Sequence, residues 1–510
     1  MISLTETLQG AAAKSDASLR DAGGSAIGWP ALADRVARGA AGLTSLAGPR
    51  PAVAILAENS LDYFIALLAT IHAGGRAMPL NHRLSDAEIE ALLARGEASL
   101  LLVDAVNAGR LANHRGTRLR LDEEGGWQAL QASSPMPSRE VGADEPVLTL
   151  FTGGTTGLPK GVDLTAGALL GNAQIGAAAL SLDPSDICCF TAPLFHIGGL
   201  ALALCAMSSG AGGVMLPRFD PLHTPQVIAS HGATMVFLTP TMMAMILDVP
   251  GADPALMQGL RLVFYGASPI APGLLRRIDS AWQGVDLIQA YGQTEICPLA
   301  ILPAEDHRRA LSGEDDAALT AAGYPSPGHE LRIVDASGRD CAQGEAGEVW
   351  ARGPTALKGY RGAPEETAAV MAPGGFVRTG DIGYLDTRGR LHLVDRLKDM
   401  IVTGGENVFS TEVENALADH PAIARAAVIG LPDPRLGEKV HAIIELRPEY
   451  AADETLEAAI IAHCRERLGG FKVPRSLSFF DGPLPLTGAG KVAKATLRRE
   501  AWSGQDRMIG

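Results

Sequence analysis

The segment FTGGTTGLPKGV, Phe151–Val162, concentrates groups suited to a polyphosphate. Its glycines, among them Gly153, Gly154 and Gly157, let a backbone turn tightly and present N–H donors. Thr152, Thr155 and Thr156 add hydroxyls, and Lys160 adds positive charge. It is not a Walker A loop, which needs Lys followed by Ser or Thr at the start of a helix. Here Pro159 precedes Lys160 and Gly161 follows it. Three further stretches carry isolated charged groups among glycines: QAYGQTE at Gln289–Glu295, FVRTGDIGYLD at Phe376–Asp386 and PLPLTGAGKVAKATLR at Pro483–Arg498. Alone, Glu295 reads as a solvated charge and Asp381 as a turn aspartate. Their worth depends on what the fold brings together.

Such groups need strands that end in loops. PAVAIL at Pro51–Leu56 reads as a strand and Ser60–Ala73 as a helix with Ser60 as N-cap, and this alternation continues through the long first part. Strands are expected at Ala98–Asp104, Pro146–Thr152 and Thr234–Thr239. Others run into polar loops: Leu148–Phe151 into Thr152–Gly161, Leu260–Phe264 into Tyr265–Pro269, and Asp286–Gln289 into Tyr291–Glu295. Ligands of open α/β sheets gather beyond the carboxyl ends of strands, so three such loops are candidates for one site. Past about residue 397 the pattern becomes a compact α+β unit. It has a helix at Thr411–Leu417 with Thr411 and Glu414 spaced as a capping box, strands at Ala426–Leu431 and Val440–Leu446, and a helix at Glu454–Leu468. The fold class expected is α/β: a large multi-subdomain part with layered sheets over 1–396, then a small mobile α+β part over 397–510.

Composition narrows the function classes. At 510 residues more than one domain is expected, and a net charge of −14 argues against a general nucleic-acid binder. The six cysteines form no C-x-x-C pair, which fits small buried residues in a reducing cytoplasm better than disulfides or a metal site. No basic start followed by an apolar run marks an export signal. Between Asp186 and Arg218 no charge occurs, but the glycines and serines within Ile197–Leu216 favour a buried helix and strand over a membrane span.

Taken in order, these motifs make the chain resemble the adenylate-forming superfamily, which includes acyl- and aryl-CoA synthetases and peptide-synthetase adenylation domains. The resemblance spans about Val147 to Arg498. It implies that Thr152–Gly157 and Lys160 hold the ATP phosphates. It implies that Tyr291, within Gln289–Ala290–Tyr291–Gly292, stacks on adenine, that Thr294 contacts phosphate, and that Glu295 binds Mg²⁺, a hard cation that takes its other oxygens from phosphate. YGASP at Tyr265–Pro269 would line the adenine and acyl sites, with Ala267 closest to the nucleotide. Asp381 would accept both ribose hydroxyls. In VDRLKDMIVTGGENV, Arg396 would contact ribose and phosphate, Lys398 would be the hinge, and Gly404 and Gly405 would line the coenzyme A channel. Lys491 would be the C-terminal lysine that offsets charge as the acid attacks α-phosphorus, while Lys494 reads as structural.

The same resemblance makes His196 in PLFHIGG a gate between the acyl pocket and the CoA tunnel. The acid pocket would be lined by His196, Ile197, Gly198, Phe237, Ala267, Ala290, Cys297 and Pro298. The apolar lining predicts a fatty or aryl monocarboxylate, with ATP, Mg²⁺ and CoA as the other partners, no nucleic acid, no membrane span and room for a homodimer. The sequence departs from the family pattern at Gly153, Leu436 and Leu486. The alternative is a carrier-protein-loading adenylation enzyme for amino acids. Such enzymes usually place an aspartate where Phe195–His196 stands.

Overall fold

The computed structural model describes residues 4–111, 114–123, 125–152, 159–486 and 492–501. Among these, the strands form sheets of fourteen, seven and five members. The seven-stranded sheet has a parallel centre in which Ala52–Leu56 lies between Arg76–Pro79 and Leu100–Val103. These short runs, apolar but for the buried Arg76, match a sheet covered on both faces, as parallel sheets almost always are. Leu61–His72 is buried at every residue but Asp62, and the Ser60 hydroxyl caps it by accepting from the Tyr63 N–H. Pro146–Thr152 forms the strand expected there and pairs antiparallel with Lys160–Thr165.

In the fourteen-stranded sheet, Gly212–Met215, Ile187–Phe190, Met235–Leu238, Leu262–Gly266 and Asp286–Gln293 lie side by side in parallel. Beyond Asp286–Gln293 the sheet turns antiparallel through Ile296–Leu302 and Ala321–Pro325 to Leu391–Arg396 and Phe376–Leu385. One continuous sheet therefore carries the QAYGQTE stretch and the Asp381 strand to neighbouring positions. The uncharged stretch becomes a helix, Ile197–Ser209, followed by the strand Gly212–Met215, both almost wholly buried. Among the described residues no helix is long and apolar enough to cross a membrane.

The five-stranded sheet lies after residue 400, with Gly437–Leu446 at its centre and Ile423–Asp433 antiparallel beside it. The helix Glu454–Arg467 packs on it through Ile460 and Cys464. Two expectations need correction. Glu414 and Thr411 form no capping box: the helix Ser410–Ala418 begins after Phe409, whose side chain makes no cap. Glu414 instead accepts the Val428 N–H at 2.7 Å, and the Thr411 hydroxyl turns to Asp395. The cysteines are free, but Cys297 and Cys341 are half-buried rather than buried.

Candidate active site

The residues singled out in the large part converge on the ends of adjoining strands. Gln289, Ala290, Tyr291 and Gly292 all lie within the strand Asp286–Gln293, not in a loop after it. The strand persists because residues up to Gln293 find partners in Ile296–Leu302, with a shift of register between Tyr291 and Gln293. That irregularity turns Tyr291 and Gln293 toward Asp381. The Tyr291 phenol donates to Asp381 Oδ2 at 2.6 Å, and the Gln293 amide donates to the same oxygen at 2.6 Å. Asp381 is 6% exposed, and Arg396 lies directly across the strand pair with Nε 3.3 Å from Oδ1. Burial and the neighbouring Asp381 charge push the Tyr291 hydroxyl far above its ordinary range, so it remains a donor. The carboxylate is thus oriented from two sides, with acceptor capacity left over for a diol.

Ala267 follows Leu262–Gly266 in the left-handed region, at φ 68°. Before it, a Cβ on Gly266 would stand 2.3 Å from the Ala290 carbonyl oxygen, so only glycine lets the two strands approach here. Gln289 rests on a buried pair. Tyr265 Oη lies 3.0 Å from Gln289 Oε1 and 2.8 Å from His307 Nε2, while His307 Nδ1 lies 3.0 Å from the Pro303 carbonyl. A neutral His307 donating from Nδ1 takes the single phenol proton at Nε2. Gln289 then meets Tyr265 best through its amide N–H.

Of the residues expected to hold phosphate and metal, Lys160 and Glu295 meet at Tyr360. Its hydroxyl donates to Glu295 Oε1 at 2.8 Å, and Lys160 Nζ stands 5.1 Å from its ring centre. Lys160 pairs with Glu366 at 2.5 Å and sits across the ladder from Thr152. Gly153, Gly154, Thr155, Thr156 and Gly157 lie outside the described residues, as does Lys491. Thr294 lies beside Ile197, Cys297 and Asn172 around a small cavity. Among the described residues no group of three or more His, Cys, Asp or Glu side chains could hold a metal. Glu295 is the residue expected to hold Mg²⁺, a hard cation that takes oxygen ligands and can draw the rest from phosphate and water.

Some of the residues expected to line an acid pocket also meet: Ile197 and Cys297 line the small cavity beside Thr294, and Gly198 lies against Phe237. His196 stands at the N-terminal end of the helix Ile197–Ser209, its ring 4.5 Å from that of Phe195. A Cβ on Gly198 would meet Phe237 Cζ at 3.1 Å, and Phe237 lies 5.2 Å from Phe264, ring centre to ring centre. Cys297 and Pro298 are joined by a cis peptide, and the Asn172 amide donates to the Cys297 carbonyl at 2.8 Å.

Lys398 lies within electrostatic reach of Arg396 and Asp381, whereas Gly404 and Gly405 belong to the small part. Lys398 is exposed just beyond Leu391–Arg396, and its carbonyl accepts from Arg498 at 3.0 Å. Gly404 and Gly405 make the tight turn between Ile401–Thr403 and Glu406–Val408, at φ 61° and 86°. The Gly404 N–H bonds within the small part, to the Leu436 carbonyl at 2.8 Å.

Sequence reasoning missed Gln293, Tyr360 and Asn172. Gln293 stood inside a motif already singled out and had the right donor. Tyr360 and Asn172 carry no local signal, because only tertiary pairing makes them neighbours of the site.

The family model described as AMP-binding enzyme matches residues 9–361, and that of the AMP-binding enzyme C-terminal domain matches 412–491. The chain is 36% identical over 480 residues to a feruloyl-CoA synthase from an Amycolatopsis species, covering 94% of each. It is 36% identical over 466 residues to an indoleacetate–CoA ligase of Aromatoleum aromaticum, covering 88% of each. Among solved structures, it resembles the o-succinylbenzoate CoA synthetase of Bacillus subtilis in complex with the acyl-adenylate intermediate. That match has a TM-score of 0.84 at 27% identity, over 96% of this chain and 97% of that one. Two domain matches in order and relatives spanning nearly the whole length establish that the chain belongs to the AMP-binding enzyme family, the adenylate-forming superfamily of ligases.

Proposed function

We propose that the protein is an ATP-dependent carboxylate–CoA ligase whose acid carries an apolar tail, with a flat aryl tail preferred. The observation that carries the reading is the buried Asp381 carboxylate, steadied by Tyr291 and Gln293 and faced by Arg396, in a sheet whose next strands end at an apolar wall. A carboxylate so held binds a ribose diol and fixes the nucleotide. The wall contributes Ile197, Gly198, Phe237, Ala267, Ala290, Cys297 and Pro298, none of them charged. The Phe237–Phe264 pair offers ring faces to a flat tail. The feruloyl-CoA and indoleacetate relatives act on acids of that class by name.

In the first half-reaction a carboxylate oxygen attacks α-phosphorus, the bond from α-phosphorus to the α,β-bridging oxygen breaks, and pyrophosphate leaves with its β,γ bridge intact. Lys160 and the Thr152–Gly157 loop hold the leaving phosphates, and Thr294 stands beside them. Glu295 would hold Mg²⁺, which would supply positive charge to the phosphate oxygens. Lys491 neutralises charge between carboxylate and α-phosphate, where an ammonium acts most strongly once water is excluded. In the second half-reaction the CoA sulfur attacks the acyl carbonyl, AMP departs, and the thiol proton goes to solvent. His196 borders the acyl end of that path. The small domain over 397–510 pivots at Lys398 between the two steps, exchanging Lys491 for Gly404–Gly405.

The test is a panel of benzoic, cinnamic, arylacetic and fatty acids with ATP and Mg²⁺, with and without CoA. Acyl-CoA and AMP formed from aryl acids, and pyrophosphate release limited to about one equivalent without CoA, are the expected outcome. Turnover of amino acids or dicarboxylates alone would overturn the reading.

A further inference from the structure

Asp395 is 8% exposed, on the last strand of the large domain and three residues before the expected pivot. Its carboxylate reaches across that pivot to the first turn of the helix Ser410–Ala418. Oδ2 accepts the Ser410 N–H, Oδ1 accepts the Ser410 hydroxyl at 3.0 Å, and the Thr411 hydroxyl stands 3.4 Å from Oδ1. Phe409 gives this helix no side-chain cap, so a residue on the other side of the hinge supplies the acceptor its N-terminus needs.

The contact continues inward. Having donated to Asp395, the Ser410 hydroxyl accepts from Lys494 Nζ at 2.8 Å, and Lys494 pairs with Glu414 at 2.6 Å. Glu414 is fixed in turn by the Val428 N–H at 2.7 Å. Lys494 opens the helix Lys494–Ala501, three residues beyond Lys491. Arg498 of the same helix reaches back to the pivot, bonding the Lys398 carbonyl at 3.0 Å and pairing with Asp399 at 3.3 Å. A chain of charged hydrogen bonds thus runs from the large domain, over the pivot, to the segment that carries the catalytic lysine.

We infer that Asp395 is a positioning residue. Through Ser410 and Lys494 it latches the small domain in one of its two poses, and so weights the two half-reactions unequally. Rotation about Lys398 separates residue 395 from residue 410, so the bonds to Ser410 and Thr411 exist in one pose only. A packing contact inside a single domain would instead affect both half-reactions alike.

This inference rests on the two-step reading above, and the test separates the two. For the unaltered protein, adenylate formation is followed as single-turnover pyrophosphate release without CoA. Thioester formation is followed from supplied acyl-adenylate plus CoA. Both steps in the unaltered protein establish the two-step reading by themselves. The latch is then tested with Asp395→Asn and Ser410→Ala, the latter keeping the backbone N–H contact and serving if the former folds poorly. Both variants are expected to change one half-reaction by about tenfold or more, the weight of a charge-assisted hydrogen bond, and the other less than about threefold. Equal losses in both half-reactions, or no loss in either, overturn the latch and leave a packing role.

Discussion

The Tyr291 hydroxyl and the Asp381 carboxylate, ninety residues apart in sequence, meet at 2.6 Å across one continuous sheet. The bond places an aromatic face and an oriented acceptor pair side by side, the two features a nucleoside needs. Asp381→Asn keeps the shape but removes the charge and one acceptor. The KM for ATP is expected to rise by about ten- to a hundredfold, as loss of a charged hydrogen bond implies. Initial rates against ATP concentration check it. An unchanged KM would remove Asp381 from the nucleotide site.

Tyr360 holds Glu295 through its hydroxyl, which donates to Oε1 at 2.8 Å. Burial and the adjoining Glu295 charge push its hydroxyl well above the ordinary phenol range, so it donates at every working pH. Tyr360→Phe frees the carboxylate to rotate. The Mg²⁺ concentration giving half-maximal rate is expected to rise by about three- to tenfold, with the rate at saturating Mg²⁺ near that of the parent. A Mg²⁺ titration at fixed ATP reads this directly.

Gly198 lets the Phe237 ring pack close against it, since an added Cβ would lie 3.1 Å from Cζ. Gly198→Ala must displace that ring, which pairs with Phe264. For aryl acids kcat/KM is expected to fall by about five- to fiftyfold, as overpacking costs of about 1–3 kcal/mol imply, while short alkyl acids lose less. The acid panel run on both proteins decides it. Equal losses for all acids would place Gly198 outside the pocket.

His307 makes stability depend on pH. It is 1% exposed, and burial holds its imidazole down at about 4, against an ordinary 6.5. The unfolded chain takes up a proton near the ordinary value, whereas the folded chain refuses it until the lower one. Stability from this residue is therefore full above pH 6.5 and falls as pH drops toward 4, by about 3 kcal/mol in all. Urea unfolding of His307→Gln is expected to show a shallower loss across that window. An unchanged slope would contradict the assignment.

Much of this site was legible because apolar strand-like runs lead into stretches that gather glycine with isolated charges. Pro146–Thr152 was read to its ends, and Leu61–His72 was found with its cap. The misreadings share one cause: hydrogen-bond partners that come from far along the chain. The strand at Asp286 was expected to stop at Gln289, but its pairing with Ile296–Leu302 carries it to Gln293. The Thr411–Glu414 capping box satisfied a local rule, yet Asp395 supplies the acceptor and leaves Glu414 to Val428 and Lys494. Tyr360 was missed because its partner Glu295 lies sixty-five residues away. Local spacing records donors and acceptors but not which of them the fold will pair.

The central claim is that the ammonium of Lys491 drives adenylate formation and has no part in thioester formation. Lys491→Ala separates the steps: pyrophosphate release in a single turnover without CoA, and acyl-CoA formation from supplied acyl-adenylate. The account predicts that the first falls by about a hundredfold or more, the scale of losing one transition-state charge contact, while the second stays within about threefold of the parent. Adenylate formation at the parent's rate in Lys491→Ala would contradict it.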